Sequence, residues 1–196
     1  MAPSHLSLWS PSGDQLAVMS GHDDGEFDIY VVNTDGSGLT RLTDDPHTDW
    51  LPAWSPDGQH IAFYSSRDGD FDDVYVMNAD GSGQTRLAGS VTQDNMWFLS
   101  PPTWSPDGRQ IVFVSDRDGE FDIYVMNADG SNQTRLTHNP AIDEHLTWSP
   151  DGRQISFTSR PEENIFAIYV INADGSGLTR LTYDIDKALF PVWSPQ

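Results

Sequence analysis

The segment richest in potential chemistry reads Asp116-Arg117-Asp118-Gly119-Glu120-Phe121-Asp122. Carboxylates at 116, 118 and 122, around a glycine that permits a sharp turn, form an oxygen donor set suited to Ca²⁺. The position that would lead such a set, 114, holds Val114. The text recurs as Asp24-Gly25-Glu26-Phe27-Asp28 and as Asp68-Gly69-Asp70-Phe71-Asp72-Asp73. Asp24, Asp28, Asp68 and Asp72 therefore join Asp116, Asp118 and Asp122 as candidate cation ligands. A fourth copy breaks the pattern with Pro161-Glu162-Glu163-Asn164. The competing role for the Asp ahead of each Ile/Val-Tyr pair is structural: it accepts backbone N–H groups or pairs with an arginine of its own repeat.

Two other segments combine imidazole with carboxylate, His47-Thr48-Asp49 and Asp143-Glu144-His145. In an extended strand residues two apart share a side, so each pair could offer nitrogen and oxygen to a transition metal. Asp186 belongs to a further acidic loop, Asp184-Ile185-Asp186-Lys187, whose lysine is the only one in the chain and reads as a charge partner. A third kind of candidate is the apolar run Asp94-Asn95-Met96-Trp97-Phe98-Leu99. Loops are usually polar, so Trp97 there, flanked by Asp94 and Asn95, fits a partner anchor or a platform for a sugar ring. It fits equally a plug folded back over the protein. No Gly-x-Ser-x-Gly, Gly-Lys-Ser/Thr or His-Glu-x-x-His motif is present.

The elements that carry these groups follow from an internal repeat. Trp-Ser-Pro recurs at Trp9, Trp54, Trp104, Trp148 and Trp193, at intervals of 45, 50, 44 and 45 residues. After each of the first four tryptophans come a Gly-containing turn, a short apolar alternation and an Ile/Val-Tyr-Val run. Asn-x-Asp-Gly and a closing Thr-Arg-Leu complete the unit. Period-two alternation with β-branched and aromatic residues, broken by Pro-Asp-Gly and Asn-Ala-Asp-Gly, predicts four strands per unit. We denote them A (ending at Trp), B, C and D. Four strands in about 45 residues is the size of a propeller blade. The predicted fold is all-β, a β-propeller of four-stranded antiparallel blades. The blades span about 4–45, 46–90, 91–138 and 139–183, within a single domain covering 1–196, and 187–196 form a surplus strand A. The repeated Trp, the strand C Tyr and the strand D Arg are assigned to structure.

The sequence Trp-Ser-Pro-Asp-Gly, Ile-x-Phe, Asp-Ile-Tyr-Val-Met-Asn-Ala-Asp-Gly, Thr-Arg-Leu-Thr resembles the repeat of TolB-type β-propellers. The acidic loops are similar to the tail of the calcium loops of integrin-type propellers. The TolB resemblance implies a ring of six or more blades. Four blades would then be completed by a homo-oligomer or belong to a longer propeller, with a small closed ring as the alternative. It also implies a periplasmic or secreted location, although the first residues show no basic stretch leading into an apolar one. Proteins with such blades include scaffolds, propeller domains of serine peptidases and sugar-acid lyases, so the fold alone leaves activity open.

Composition narrows the partners. Among 196 residues, 30 Asp and Glu oppose 10 Lys and Arg, giving a formal charge of −20. This argues against nucleic acid and anionic lipid, both of which need cationic side chains. No apolar run approaches the ~18 residues of a membrane span. Cysteine is absent, which removes thiolate chemistry. Eight acids fall in A–B or C–D turns and the other 22 in B–C and D–A loops, which alternation of strand direction puts at the opposite end of the blade. That end is expected to be strongly negative and to attract cations or basic partners. The expectation is a non-catalytic scaffold binding a basic protein segment or a cation such as Ca²⁺ on an acidic channel face. The alternative is a carbohydrate-binding or uronate lyase-like propeller with a metal at the channel mouth.

Overall fold

The computed structural model describes residues 9–21, 25–69, 71–92, 100–119, 121–138, 141–162, 165–183 and 187–194. They contain strands and turns and no helix. The chain divides into two compact units, Met1–Gln93 and Asp94–Gln196.

The first unit holds two sheets. One is formed by β1 (Gln15–Gly21), β2 (Phe27–Asn33) and β3 (Thr40–Arg41). The other is formed by β4 (Asp49–Trp54), β5 (His60–Ser65), β6 (Phe71–Asn78) and β7 (Thr85–Thr92). In the second unit β8 (Thr103–Trp104), β9 (Gln110–Ser115), β10 (Asp122–Asn127) and β11 (Thr134–Arg135) make one sheet. The other comprises β12 (Ile142–Trp148), β13 (Gln154–Glu162), β14 (Ile165–Asn172) and β15 (Thr179–Arg180). Strands follow chain order and pair antiparallel, so blades 2 to 4 have the predicted A–B–C–D build. Of the expected strand A of blade 1, only Trp9 is described, bridged to Leu16. The surplus strand A is not a full strand in its described part. Lys187 forms an isolated parallel bridge with Phe166, and the Trp193 indole donates to Thr147 O at 3.2 Å.

The turns explain the recurring Ser, Asp and Gly. In the A–B turn, Ser55 Oγ donates to Asp57 Oδ1 at 2.6 Å, and the Gln59 N–H donates to the same oxygen at 3.0 Å. In the C–D turn, Ser82 Oγ and its N–H both donate to Asp80 Oδ1, at 2.6 and 2.9 Å. These bonds hold the Asp35, Asp57, Asp80, Asp107, Asp129, Asp151 and Asp174 carboxyls below the usual range. Gly81 is required by proximity as well as by its positive φ: a Cβ there would lie 2.9 Å from the Leu42 carbonyl of the preceding blade.

Apolar strand positions meet between neighbouring blades. Ala17, Ile29, Val31 and Leu42 of blade 1 pack with Trp54, Ile61, Phe63, Tyr75 and Met77 of blade 2. One blade cannot bury both its faces, so each supplies one side of such an interface. The repeated Trp and Tyr follow this rule unevenly. Trp54, Trp104 and Trp148 are buried, whereas Trp9 is 57% exposed. Tyr75 and Tyr124 are buried, while Tyr30 and Tyr169 are only half-buried.

Three of the strand A segments carry a kink at one repeat position. Leu51, His145 and Phe190, each three residues before its Trp, have φ of 51°, 57° and 56°. The β4–β5 and β12–β13 registers shift at this point. Positive φ strains a non-glycine residue by ~1–2 kcal/mol, so the kink must be held by its surroundings.

Candidate functional site

The B–C loops and strand D are tied together by one device. In blade 1, Arg41 Nη2 lies 2.5 Å from Asp28 Oδ2, and Arg41 Nε donates to Thr43 O at 2.7 Å. Thr43 Oγ1 in turn donates to Asp28 Oδ1 at 3.2 Å and accepts the Ile29 N–H. Blade 3 repeats this with Arg135, Asp122 and Thr137, the ion pair again 2.5 Å long. In blade 2 the equivalent acid is Asp73, 2.6 Å from Arg86 Nε. Blade 4 has Ala167 in place of the acid, and Arg180 binds Thr182 O and lies 5.3 Å over Tyr183.

A second arginine sits at the start of each B–C loop in blades 2 and 3. Arg67 Nη2 meets both oxygens of Asp49 at 2.9 and 2.8 Å, and Asp45 at 2.8 Å. Arg67 Nε donates to Ser65 Oγ at 2.8 Å and Nη1 to Gln84 Oε1. The guanidinium lies over Phe63 and Tyr75, 5.6 and 4.8 Å from the ring centroids. Arg117 repeats this on Ser115 Oγ, Gln133 Oε1, Phe113 and Tyr124. Burial pushes the Asp49 carboxyl up, while Ser65 and Arg67 pull it back.

A sequence profile of the TolB beta propeller domain matches residues 2–98 and 91–196. The chain belongs to the TolB β-propeller family. Solved structures agree on the fold. A TolB protein of Agrobacterium tumefaciens is 27% identical, with a TM-score of 0.73 over 88% of this chain and 62% of its own. TolB from Acinetobacter baumannii is 23% identical, with a TM-score of 0.72 over 89% of this chain and 42% of its own. A puromycin-hydrolyzing peptidase of Mycobacterium tuberculosis shares the fold at 16% identity, with a TM-score of 0.70 over 95% of this chain and 32% of its own. The chain thus spans less than two thirds of either TolB protein. A search of curated protein sequences finds no match.

Within this TolB-type frame the candidate ligands have the following places. Asp122 and Asp28 are bound to arginines. Asp118 accepts the Tyr124 hydroxyl at 2.5 Å and lies 3.8 Å from Arg135. Asp68 accepts the Tyr75 hydroxyl and lies 3.6 Å from Arg86. The Asp116 carbonyl accepts the Gly119 N–H in the turn. Asp72 pairs with Val91 beside a register shift between β6 and β7; burial raises its carboxyl to about 6, with the Trp50 indole opposing. Among the described residues no three His, Asp or Glu side chains are placed to share a metal. Asp24, Asp94, Asn95, Trp97 and Asp186 lie outside the described residues.

The histidine pairs are not brought together as alternation implied. His47 precedes β4; its Nδ1 is 3.3 Å from Asp45, whereas Asp49 holds Arg67. On β12 the kink at His145 breaks the period, so Asp143 points into the protein. The His145 ring lies 4.0 Å from that of Phe190, and its Nδ1 is 3.8 Å from Glu144. Burial raises Asp143 and Glu144 to about 7 each; Arg160 opposes the rise at Glu144. Both oxygens of Asp143 lack a hydrogen-bond partner among the described residues. Ser159 and Thr137 are near enough to ease its charge without bonding geometry, and the Thr137 proton is already directed to Asp122.

The motif singles out Asp28 and Asp122, as cation ligands or as arginine partners, but gives Arg67 and Arg117 no role. The signal was available: Ser-x-Arg-Asp-Gly follows strand B in both blades, at Ser65 and Ser115.

Proposed function

We propose that the chain is a non-catalytic binding scaffold whose B–C and D–A loop ends receive a basic protein segment. The observation that carries this reading is the unequal chemistry of the two blade ends. Turn acids such as Asp57 and Asp80 are committed to serine and backbone donors. The opposite loops carry Asp45, Asp68 and Asp118 in exposed or partly exposed settings, with arginines already half-neutralised by acids. A cationic segment would find carboxylates there without displacing a folded turn. The family supports the scaffold reading, because its blades are binding platforms built by repetition rather than around a nucleophile.

The test is titration of a fluorescent Lys/Arg-rich peptide, with an Asp/Glu-rich peptide as control. Binding should be confined to the basic peptide and fade steeply as salt rises from about 0.01 M to about 1 M, where the screening length falls from about 30 Å to about 3 Å. Reversal of Asp68 and Asp118 to Lys should weaken it. Equal binding of both peptides, or indifference to salt, overturns the proposal.

A further inference from the structure

Blades 2 and 4 are the same device with one part changed. In blade 2, Asp49 pairs with Ser65 across β4 and β5, and Arg67 fills the space before them. In blade 4, Asp143 pairs with Ser159 across β12 and β13 in the same register. The aromatic platform is also present: the ring centroids of Phe157 and Tyr169 are 5.7 Å apart, the same distance as between Phe63 and Tyr75. The position of Arg67 is held by Pro161, which can neither donate nor carry charge. The neighbouring Arg160 lies instead over Phe166, at 5.9 Å.

The groups that would receive a guanidinium are left over. The two Asp143 oxygens and Ser159 Oγ are buried and have no hydrogen-bond partner among the described residues. Their counterparts in blade 2 accept the Arg67 Nη2 and Nε protons. The platform is more open as well. Tyr75 and Tyr124, each beneath an arginine, are 4% exposed, whereas Tyr169 is half-buried. Buried polar groups are almost always satisfied, so three such atoms in one spot ask for a donor.

We propose that blade 4 carries an open seat for an arginine side chain, formed by the Asp143 carboxylate, the Ser159 hydroxyl and the Phe157–Tyr169 platform. Its ligand is an arginine of a basic protein segment entering past Tyr169; the source of that arginine rests on the scaffold reading, the seat itself does not. A planar fork matches carboxylate plus ring face, which an ammonium does not, so arginine is preferred over lysine. The polar neighbourhood of Asp143 consists of Ser159 of β13, Thr137 after β11, Asp122 of β10 with Arg135 upon it, and Glu144 of its own strand with Arg160 facing that. A guanidinium favours the ionised carboxylate, so seating it displaces a proton and binding tightens as pH rises through neutrality.

The experiment titrates N-acetyl-arginine amide and N-acetyl-lysine amide into the full chain. The Tyr169 ring resonances and proton release are followed at pH 6 and pH 8, values chosen to bracket neutrality. The arginine compound should shift Tyr169, bind more tightly at the higher pH, and be about tenfold weaker with Asp143→Asn or Tyr169→Leu. Two variants guard against a single folding failure. Equal binding of the lysine compound, no shift at Tyr169, or unchanged affinity in both folded variants overturns the seat. Arginine binding at Tyr169 without basic-peptide binding leaves the seat and removes the scaffold reading. Peptide binding untouched by Asp143→Asn does the reverse.

Discussion

Asp122 shows what a single carboxylate contributes here. It is buried, bound to Arg135 and Thr137, and pushed up by burial while both partners pull it down. Removing it leaves Arg135 without its anchor. Because Arg135 is 26% exposed, water softens the loss, and Asp122→Ala should cost about 2–3 kcal/mol in denaturant unfolding. Arg135→Ala in that background should then cost much less than alone, since contacting residues couple. Asp143 and Glu144 predict the pH response. Their carboxyls stand at about 7 in the folded chain against ordinary values of 3.8 and 4.5. The folded state therefore holds protons that the unfolded state releases. Their contribution is fully present below about pH 4 and is lost as pH rises through about 7. Thermal melts should show stability falling over that interval, and Asp143→Asn should flatten the fall. Asp122 was readable from sequence as an acid ahead of Ile-Tyr. The solitude of Asp143 was not, because it depends on Pro161 taking an arginine's place after the strands are in register.

At the scale of elements, the C–D turn offers an internal experiment. Gly38, Gly83 and Gly177 occupy one repeat position with φ of 67°, 68° and 69°, and blade 3 has Asn132 there at 54°. Asparagine tolerates this region better than other side chains but less well than glycine. Asn132→Gly should stabilise blade 3 by about 0.5 kcal/mol. Gly83→Ala should cost more than 1 kcal/mol, because its Cβ would also stand 3.0 Å from Asn78 Nδ2. Urea unfolding of both variants checks the pair. Strand existence and order were legible because turn text and alternation recur with every blade. The kink at Leu51, His145 and Phe190 was not, since three dissimilar side chains share one backbone conformation. That kink is why the expected same-side pairing of Asp143 with His145 does not occur.

For the molecule as a whole, exposed apolar side chains predict association. Trp9, Leu181, Tyr183 and Val192 are 57%, 54%, 68% and 88% exposed. At the matching repeat positions Leu42, Trp54, Leu136 and Trp148 are buried. Light scattering should report a mass above the 21.8 kDa of one chain, and Val192→Lys should lower it. A monomer for both proteins would refute this. The period of about 45 residues made the blade number plain, because repetition multiplies every local signal. Partners leave no such imprint: a charge of −20 names a sign, not a molecule.

Two tryptophans of the second unit, Trp148 and Trp193, hang their indole N–H on the strand A before them. Trp148 reaches Thr103 O at 3.0 Å, and Trp193 reaches Thr147 O at 3.2 Å. Tension applied to the chain at Ser194 would meet these bonds one after another, like rungs, before any sheet is peeled. A single-molecule extension trace of the second half should therefore rise and drop in steps, each drop releasing one repeat's length of polypeptide.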